Sequence, residues 1–247
     1  GAMVVLLKDA LMPNLVQTGE GAPAIVHCGP FANIAHGTNS ITATRAALSY
    51  ADIVVTEAGF AFELGAEKFF DINCRYGGFA PACTVLVTTI RALKMHGGKP
   101  LAEVSKPDVE AMTRGFSNME KHIESIRKFG QACVVAINGF PTDTAEEVAA
   151  LQQHCARLGV QAVPAEPFSK GGSGCVELAK VVRDLVARTE PGFKPLYEWS
   201  DTIEHKIATV AREMYGAQAV DYTARAKRDL EQLQKAGFDK LPICIAK

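Results

Sequence analysis

The stretch TVLVTTIRALKMHGG, residues 84–98, decides how the fold of this sequence is interpreted. Its first seven residues are apolar or β-branched, as in a buried strand. Arg91, Lys94, His96 and a Gly-Gly pair follow at once. In open α/β sheets, ligands bind outside the carboxyl ends of the strands, where the connecting loops converge. The abrupt change from apolar to cationic residues therefore predicts a strand whose end faces a ligand site.

Residues that are unusual for a core strand also follow four other apolar runs. The predicted strands are PAIVHC (23–28), ADIVVTEA (51–58), TVLVTTI (84–90), QACVVAIN (131–138) and GVQAVPAE (159–166). Amphipathic, helical segments lie near residues 38–50, 63–72, 108–128, 145–157 and 175–188. Apolar strands alternating with helices predict an α/β fold with a mainly parallel sheet flanked by helices. The five loops that follow the strands are expected to form one site.

A domain boundary is predicted after residue 190, where Pro191, Gly192 and Pro195 interrupt the pattern. Residues 1–190 are assigned to the sheet domain that carries the loops. Residues 191–247 are assigned to a C-terminal helical appendage of two helices, which ends in the strand-like segment LPICIAK (241–247).

Composition narrows the classes of function. Lys plus Arg is 26 and Asp plus Glu is 27, so the net charge favours neither nucleic acid nor an acidic membrane surface. No apolar run approaches the roughly 20 residues of a membrane span. The seven cysteines include no CxxC pair, which predicts reduced thiols in a cytoplasmic protein and no zinc or other metal site.

The loop GFPTDTAEE contains a T-x-x-E pattern, in which Thr144 and Glu147 are expected to form a capping box that starts a helix. Phe140 and Pro141 would then project from a rigid loop on the binding side. The alternative is that they form a hydrophobic staple or cover the edge of the sheet.

The segment KGGSG is a glycine-rich turn before a helix, with Lys170, Gly171, Gly172, Ser173 and Gly174. Such a turn exposes backbone N–H groups to a phosphate or another anion, but it is equally typical of a plain strand-to-helix connection. It is not a Walker A loop, because GxxxxGK[ST] occurs nowhere in these 247 residues.

Charged residues after the strands have two interpretations each. Arg91, Lys94 and His96 either face a phosphate or carboxylate or simply solvate the end of a helix. Glu57 emerges from an apolar run, so it requires a partner such as Lys68 or Arg75, or else has a role in binding a ligand.

Several long motifs resemble one enzyme family. They are GPFANIAHGTNS (29–40), VTEAGFAFELGAEKFFDINCRYGG (55–78), VTTIRALKMHGG (87–98), GFSN (115–118), FPTDT (140–144), KGGSG (170–174) and LPICIAK (241–247). In colinear order over nearly the whole chain, they closely resemble formate–tetrahydrofolate ligase, also called formyltetrahydrofolate synthetase.

The resemblance implies an ATP-binding, cytoplasmic homotetramer of one-carbon metabolism. It would make 10-formyltetrahydrofolate from formate, tetrahydrofolate and MgATP through formyl phosphate, helped by a monovalent cation. The family has a P-loop-NTPase-like fold, and its P-loop lies in a region that precedes the start of this sequence. The chain is therefore expected to be an internal fragment that is inactive alone. The alternative is a non-catalytic module for folate binding or oligomerisation.

The resemblance also implies roles for individual residues of this sequence. The resemblance places Phe60, Phe140, Pro141 and Phe168 in the folate and nucleotide pocket, and the family commonly has tryptophan at position 168. Glu57, Arg91 and Lys94 are candidates for catalysis, although the resemblance gives none of them a defined chemical role.

Overall fold

A computed structural model describes residues 1–29, 35–38, 40–59 and 61–246. Internal contacts divide the chain into two compact units, which are described separately below. The first unit contains residues 1–79 and 195–247, and the second contains residues 80–194. The second unit ends at Lys194, between Gly192 and Pro195, in the segment from which a boundary after residue 190 was predicted. The assignment of residues 191–247 as an appendage stays a prediction.

The strands are β1 (Asn14–Gln17), β2 (Pro23–Val26), β3 (Thr84–Thr88), β4 (Cys133–Asn138) and β5 (Gln161–Ala165). The α-helices are α1 (Ala2–Leu7), α2 (Ile41–Tyr50), α3 (Arg75–Gly77), α4 (Ile90–His96), α5 (Val109–Arg114), α6 (Phe116–Lys128), α7 (Ala145–Arg157), α8 (Pro167–Lys170), α9 (Val176–Arg188), α10 (Ile203–Tyr215) and α11 (Ala224–Lys235). Short 3₁₀ turns cover Asp9–Leu11, Leu101–Glu103 and Gly171–Cys175, and two π-helical segments cover Ala61–Ala66 and Phe69–Cys74.

The second unit is built on a parallel three-stranded sheet in the order β3-β4-β5. Thr88 lies opposite Ile137, and Asn138 lies opposite Ala165, so the three strands end at one edge. Helices α6, α7 and α9 pack against the strands. The predicted α/β class, with a parallel sheet flanked by helices, is confirmed in this unit.

The core of the second unit explains why β4 is apolar throughout. As the central strand, β4 is covered on both sides, and its residues 134–137 are all buried. Val135 and Ile137 contribute to a cluster with residues of α4, α5 and α6, among them Leu93, Met112 and Ile123. This core holds the ends of the strands, and hence the loops that follow them, in place.

The first unit differs from the sequence-based expectation. PAIVHC forms a strand only over Pro23–Val26, and it pairs with β1 in an antiparallel hairpin rather than joining the parallel sheet. Residues 51–58 form no strand, and the side chain of Val55 is 84% exposed. Residues 241–246 form no strand either. β-Propensity reflects packing against neighbouring strands. An apolar run that has no partner strand therefore does not form a strand by itself.

The predicted helices correspond closely to the observed ones. The segment 145–157 is helical over its whole predicted length. The segment 108–128 is divided into α5 and α6 at Gly115. Threonine side chains start several of the helices: Thr89 accepts a hydrogen bond from the N–H of Ala92, and Thr202 accepts one from that of His205.

Candidate functional site

Three of the five predicted loops meet at the carboxyl edge of the second unit's sheet. Residue 89 follows β3, residues 139–144 follow β4, and residues 166–175 follow β5. The Gly139 N–H donates to the carbonyl oxygen of Ala165 at 2.9 Å, which joins two of these loops. The other two loops belong to the first unit. The site described below is therefore the part of the predicted site that lies in the second unit.

Phe140 and Arg91 form the central contact of this edge. The guanidinium carbon of Arg91 lies 3.9 Å from the centre of the Phe140 ring. Arg91 Nη2 also donates to Thr142 Oγ1 at 3.1 Å. Phe140 is 36% exposed, so the ring is covered in part and accessible in part. A cation on a ring face contributes about 0.5 to 2 kcal/mol, depending on how far it is desolvated.

The loop that carries Phe140 is rigid because its backbone is hydrogen-bonded to its own side chains. Phe140 N–H donates to Asp143 Oδ2 at 2.9 Å, and Asp143 N–H donates to the Phe140 carbonyl oxygen at 2.9 Å. The predicted capping box of Thr144 and Glu147 is confirmed, with both reciprocal hydrogen bonds present. Pro141 is exposed at the tip. The loop therefore presents Phe140 in a fixed position.

Phe168 lies in the short helix α8, in the loop after β5, and its side chain is completely exposed. A bare phenyl ring on the surface gains nothing from the core. Truncating it should therefore leave the folded state almost unchanged. An exposed aromatic ring in a loop at the carboxyl edge of the sheet could serve as a surface for stacking.

The KGGSG turn is held mainly by its own polar groups. The Lys170 ammonium pairs with the carboxylate of Glu166, and Ser173 Oγ donates to the Lys170 carbonyl oxygen at 2.7 Å. A Cβ on Gly174 would lie 2.5 Å from the carbonyl oxygen of Glu166, so this glycine is required by close packing. These contacts fit the strand-to-helix connection, and an anion site at Gly171, Gly172 and Ser173 stays a prediction.

Lys94 occupies a different environment from Arg91. Its ammonium contacts Glu147 Oε1 at 2.9 Å, and both side chains are fully buried. Lys94 also donates to the Lys106 carbonyl oxygen at 3.0 Å, and Glu147 Oε1 accepts the Asp108 N–H at 2.9 Å. Because its donors are used inside the protein, Lys94 supports the helix that starts at Thr144. Its role in catalysis stays a prediction.

The remaining predicted residues belong to the first unit. Glu57 is exposed there. Of its two predicted partners, Arg75 contacts Glu198 Oε2 at 3.1 Å, and Lys68 donates to the Ile245 carbonyl oxygen at 3.1 Å. Phe60 lies outside the described residues.

The first unit contains a buried carboxyl pair that was not predicted from the sequence. Glu67 and Asp71, four residues apart on the helical stretch 61–77, are both fully buried. Asp71 Oδ1 accepts the Leu196 N–H at 3.0 Å, whereas Asp71 Oδ2 and both Glu67 oxygens have no donor among the described residues. Burial raises the pKa of Asp71 to about 7, and burial together with the Asp71 charge raises the pKa of Glu67 well above its usual value. Burial therefore favours the protonated forms of these two carboxyl groups.

That pair left a signal in the sequence. The run AEKFFDINC places charged residues among apolar ones at a spacing of four, which puts Glu67 and Asp71 on the same side of a helix. Nothing in the spacing showed that this side is buried.

Burial also makes several thiols unreactive. It raises the pKa of Cys74 and Cys133 to about 12 and that of Cys155 to about 11. These thiols stay protonated at neutral pH, and the thiolate is the nucleophilic form.

A cavity of about 310 Å³ lies at the opposite edge of the sheet. It is lined by residues at the amino ends of β4 and β5 and by side chains of α9, including Val181, Leu185 and Arg188. It contains none of the predicted site residues. No three His, Cys, Asp or Glu side chains come together as a metal site within the described part of the chain. Among the same residues, no helix is long and apolar enough to cross a membrane.

A comparison with protein families gives one match. The model of the family described as formate–tetrahydrofolate ligase matches residues 1–247, the whole of the printed sequence. A match of this extent agrees with the motifs that surround the carboxyl edge of the sheet. The chain belongs to the formate–tetrahydrofolate ligase family.

Proposed function

We propose that this chain binds tetrahydrofolate at the carboxyl edge of the β3-β4-β5 sheet and serves the ATP-dependent formylation of that folate. The observation that carries the proposal is the accessible Phe140 ring, which a rigid loop holds at the edge where three loops of the family motifs meet. A pterin is flat, polar and aromatic, and stacks favourably on such rings.

The two aromatic residues have distinct roles in this proposal. Phe140, fixed by the Asp143 hydrogen bonds, supplies a preorganised face for the pterin. Phe168, fully exposed on α8, supplies a second and more adaptable face. Pro141 shapes the loop that carries Phe140, and Phe60 is proposed as a further lining residue.

The reaction proposed for the parent enzyme joins formate and ATP to give formyl phosphate and ADP. The N10 amine of tetrahydrofolate then attacks the formyl carbon, and phosphate leaves. Catalysis of such steps depends on positioning and on stabilising spread-out negative charge. Of the groups of this chain, we assign the KGGSG turn to the anionic side, and Arg91 to the folate side, beside Phe140. Glu57 is a candidate for proton transfer.

Further properties are proposed from the family. They are a P-loop-NTPase-like fold for the complete enzyme, MgATP as the nucleotide substrate, activation by a monovalent cation, assembly into homotetramers and a cytoplasmic location. A second candidate function is a folate-binding or oligomerisation module without catalysis. The observation that favours it is the lack of GxxxxGK[ST] in these 247 residues.

Equilibrium binding of tetrahydrofolate to the 247-residue chain, measured by titration calorimetry, tests the proposal. Phe140→Ala should weaken binding by about 1 to 3 kcal/mol, because one stacking face is lost. Phe168→Ala should also weaken binding and leave the thermal unfolding midpoint unchanged. Leu101→Ala, which removes a 75% exposed side chain in a 3₁₀ turn of the same unit, serves as the control. Equal affinity in all four proteins would refute this folate site.

A further inference from the structure

We propose that Arg91 is a positioning residue for folate, which acts by covering one face of Phe140 and leaving the opposite face for the pterin. The inference rests on the proposed function, because it assigns a role to a neighbour of the proposed stacking ring. It does not require Arg91 to touch the ligand.

The placement of the guanidinium supports this role. Its carbon lies 3.9 Å from the ring centre, which is the distance of direct stacking on one face. A pterin and the guanidinium cannot occupy the same face. Phe140 is still 36% exposed, so Arg91 does not cover the residue completely. In this inference the face opposite the guanidinium is the one that a flat ligand stacks on.

The guanidinium is itself held from two directions. Arg91 follows Thr89, the residue that caps α4, so its backbone is fixed at the start of that helix. At the other end of the side chain, Nη2 donates to Thr142 Oγ1 at 3.1 Å. Because Thr142 and Phe140 share one loop, this hydrogen bond ties the covering group to the loop that carries the ring.

The other polar atoms of Arg91 support a role in positioning the Phe140 ring rather than direct contact with an anionic ligand. Arg91 Nε is buried and has no hydrogen-bond partner among the described residues. A buried Nε is not exposed to a ligand in solution. The face of the guanidinium is used by the phenyl ring, and one terminal nitrogen is used by Thr142.

A lysine in place of Arg91 would fill this role only in part. An ammonium retains the attraction to the ring but lacks the planar surface that covers it. A ring that is held before binding loses less freedom when the pterin stacks on it, so affinity depends on the covering group even without a contact.

A double-mutant cycle on tetrahydrofolate affinity tests the inference. The proteins are the 247-residue chain and its variants Phe140→Ala, Arg91→Met and the double variant, with dissociation constants from titration calorimetry. Arg91→Met should weaken binding roughly 3- to 30-fold. The double variant should bind about as weakly as Phe140→Ala alone, because Arg91 acts only through the ring. Arg91→Lys should restore part of the affinity.

Two further variants keep the test decisive. Thr142→Val removes the hydrogen bond to Arg91 and keeps the branched shape, and it should weaken binding less than Arg91→Met does. If the Arg91→Met protein has a lowered unfolding midpoint, Thr142→Val takes its place in the double-mutant cycle. Arg183→Met, at an exposed arginine of α9, is the matched control and should bind like the unmodified chain.

The outcomes separate the inference from the function on which it rests. Additive effects of Arg91→Met and Phe140→Ala, or an unchanged affinity in Arg91→Met, overturn the positioning role while the folate site stands. An unchanged affinity in Phe140→Ala, or no binding by the unmodified chain, overturns the proposed folate site and the inference with it.

Discussion

Two cations three residues apart in IRALK have opposite surroundings. Arg91 lies at the carboxyl edge of the sheet, against the Phe140 ring, whereas Lys94 is fully buried against Glu147. Glu147 links the helices of the second unit, since it also accepts hydrogen bonds from Asp108 N–H and from Thr144. Removing one member of such a pair leaves the other charge buried and unpaired.

Lys94→Met is therefore expected to lower the free energy of unfolding of the second unit by about 3 to 5 kcal/mol. Scanning calorimetry or hydrogen exchange of β4 amides measures this loss. The control is Lys180→Met, which removes an exposed partner of Glu177 on α9 and should change stability by less than about 1 kcal/mol. Equal stability of the two variants would mean that Glu147 is satisfied without Lys94.

At the scale of elements, α4 and α5 approach each other through glycine. The sequence MHGG suggested a flexible turn, but a Cβ on Gly97 would lie 1.7 Å from the carbonyl oxygen of Ala111 in α5. The backbone itself forms this contact, so no side-chain rotation can relieve the clash. Gly97 is thus a packing residue of the core.

Gly97→Ala should destabilise the second unit by about 1 to 3 kcal/mol, because α4 and α5 must move apart. Gly192→Ala is the matched control, since nothing lies within 4 Å of its added Cβ. Chemical denaturation followed by circular dichroism compares the two. A Gly97→Ala protein as stable as the control would show that the helices separate at little cost.

The buried carboxyl pair makes the stability of the first unit depend on pH. Burial raises the pKa of both Glu67 and Asp71 above the values of unfolded chains, with Asp71 at about 7. A carboxyl group whose pKa is higher in the folded state than in the unfolded chain binds its proton more tightly in the folded state. Its contribution to stability is therefore complete below about pH 4, the pKa of the unfolded chain, and is lost as the pH rises through the pKa of the folded state. Ionisation of Asp71 should therefore destabilise the unit progressively between about pH 4 and pH 8.

Asp71→Asn should remove much of this dependence, since the amide keeps an acceptor for Leu196 N–H and carries no charge. The stability of the unmodified chain relative to this variant should fall by roughly 1 to 3 kcal/mol from pH 5 to pH 8. Fluorescence of Trp199, the single tryptophan and a neighbour of Asp71, reports unfolding of this unit. Asp184→Asn, on the exposed face of α9, is the control. Parallel pH profiles for Asp71→Asn and the unmodified chain would exclude a raised pKa of Asp71.

For the whole molecule, we expect binding and turnover to be separable. The loops to which we assign folate binding are present, but these 247 residues contain no GxxxxGK[ST] motif to hold the β- and γ-phosphates. Loss of a single preorganised group in such a site costs about 10²- to 10³-fold in rate.

The 247-residue chain should therefore bind tetrahydrofolate without producing 10-formyltetrahydrofolate from formate and MgATP. Acidifying the reaction converts the product to 5,10-methenyltetrahydrofolate, which is followed by its absorbance. The assay control is a family member that contains a GxxxxGK[ST] loop. Turnover that copurifies with the 247-residue chain would place a phosphate site within these residues.

The sequence by itself determined the local features of this protein. The capping box of Thr144 and Glu147, the length of α7 and the three strands of the parallel sheet all depend on short-range patterns and were predicted. The long motifs also identified the family, which the match over residues 1–247 confirms. The alternation of strands with helices and the capping of helices depend on residues close together in the chain. They can therefore be predicted from a single sequence.

Tertiary structure alone decided which of these residues meet. It placed Arg91 on the Phe140 ring and Lys94 in the core, although both follow the same strand. It also paired PAIVHC with an unpredicted strand and left residues 51–58 without one. The burial of Glu67 and Asp71 and the backbone contact at Gly97 depend on distant segments. Partners and burial come from contacts between segments far apart in the chain, and no periodicity in one segment specifies them.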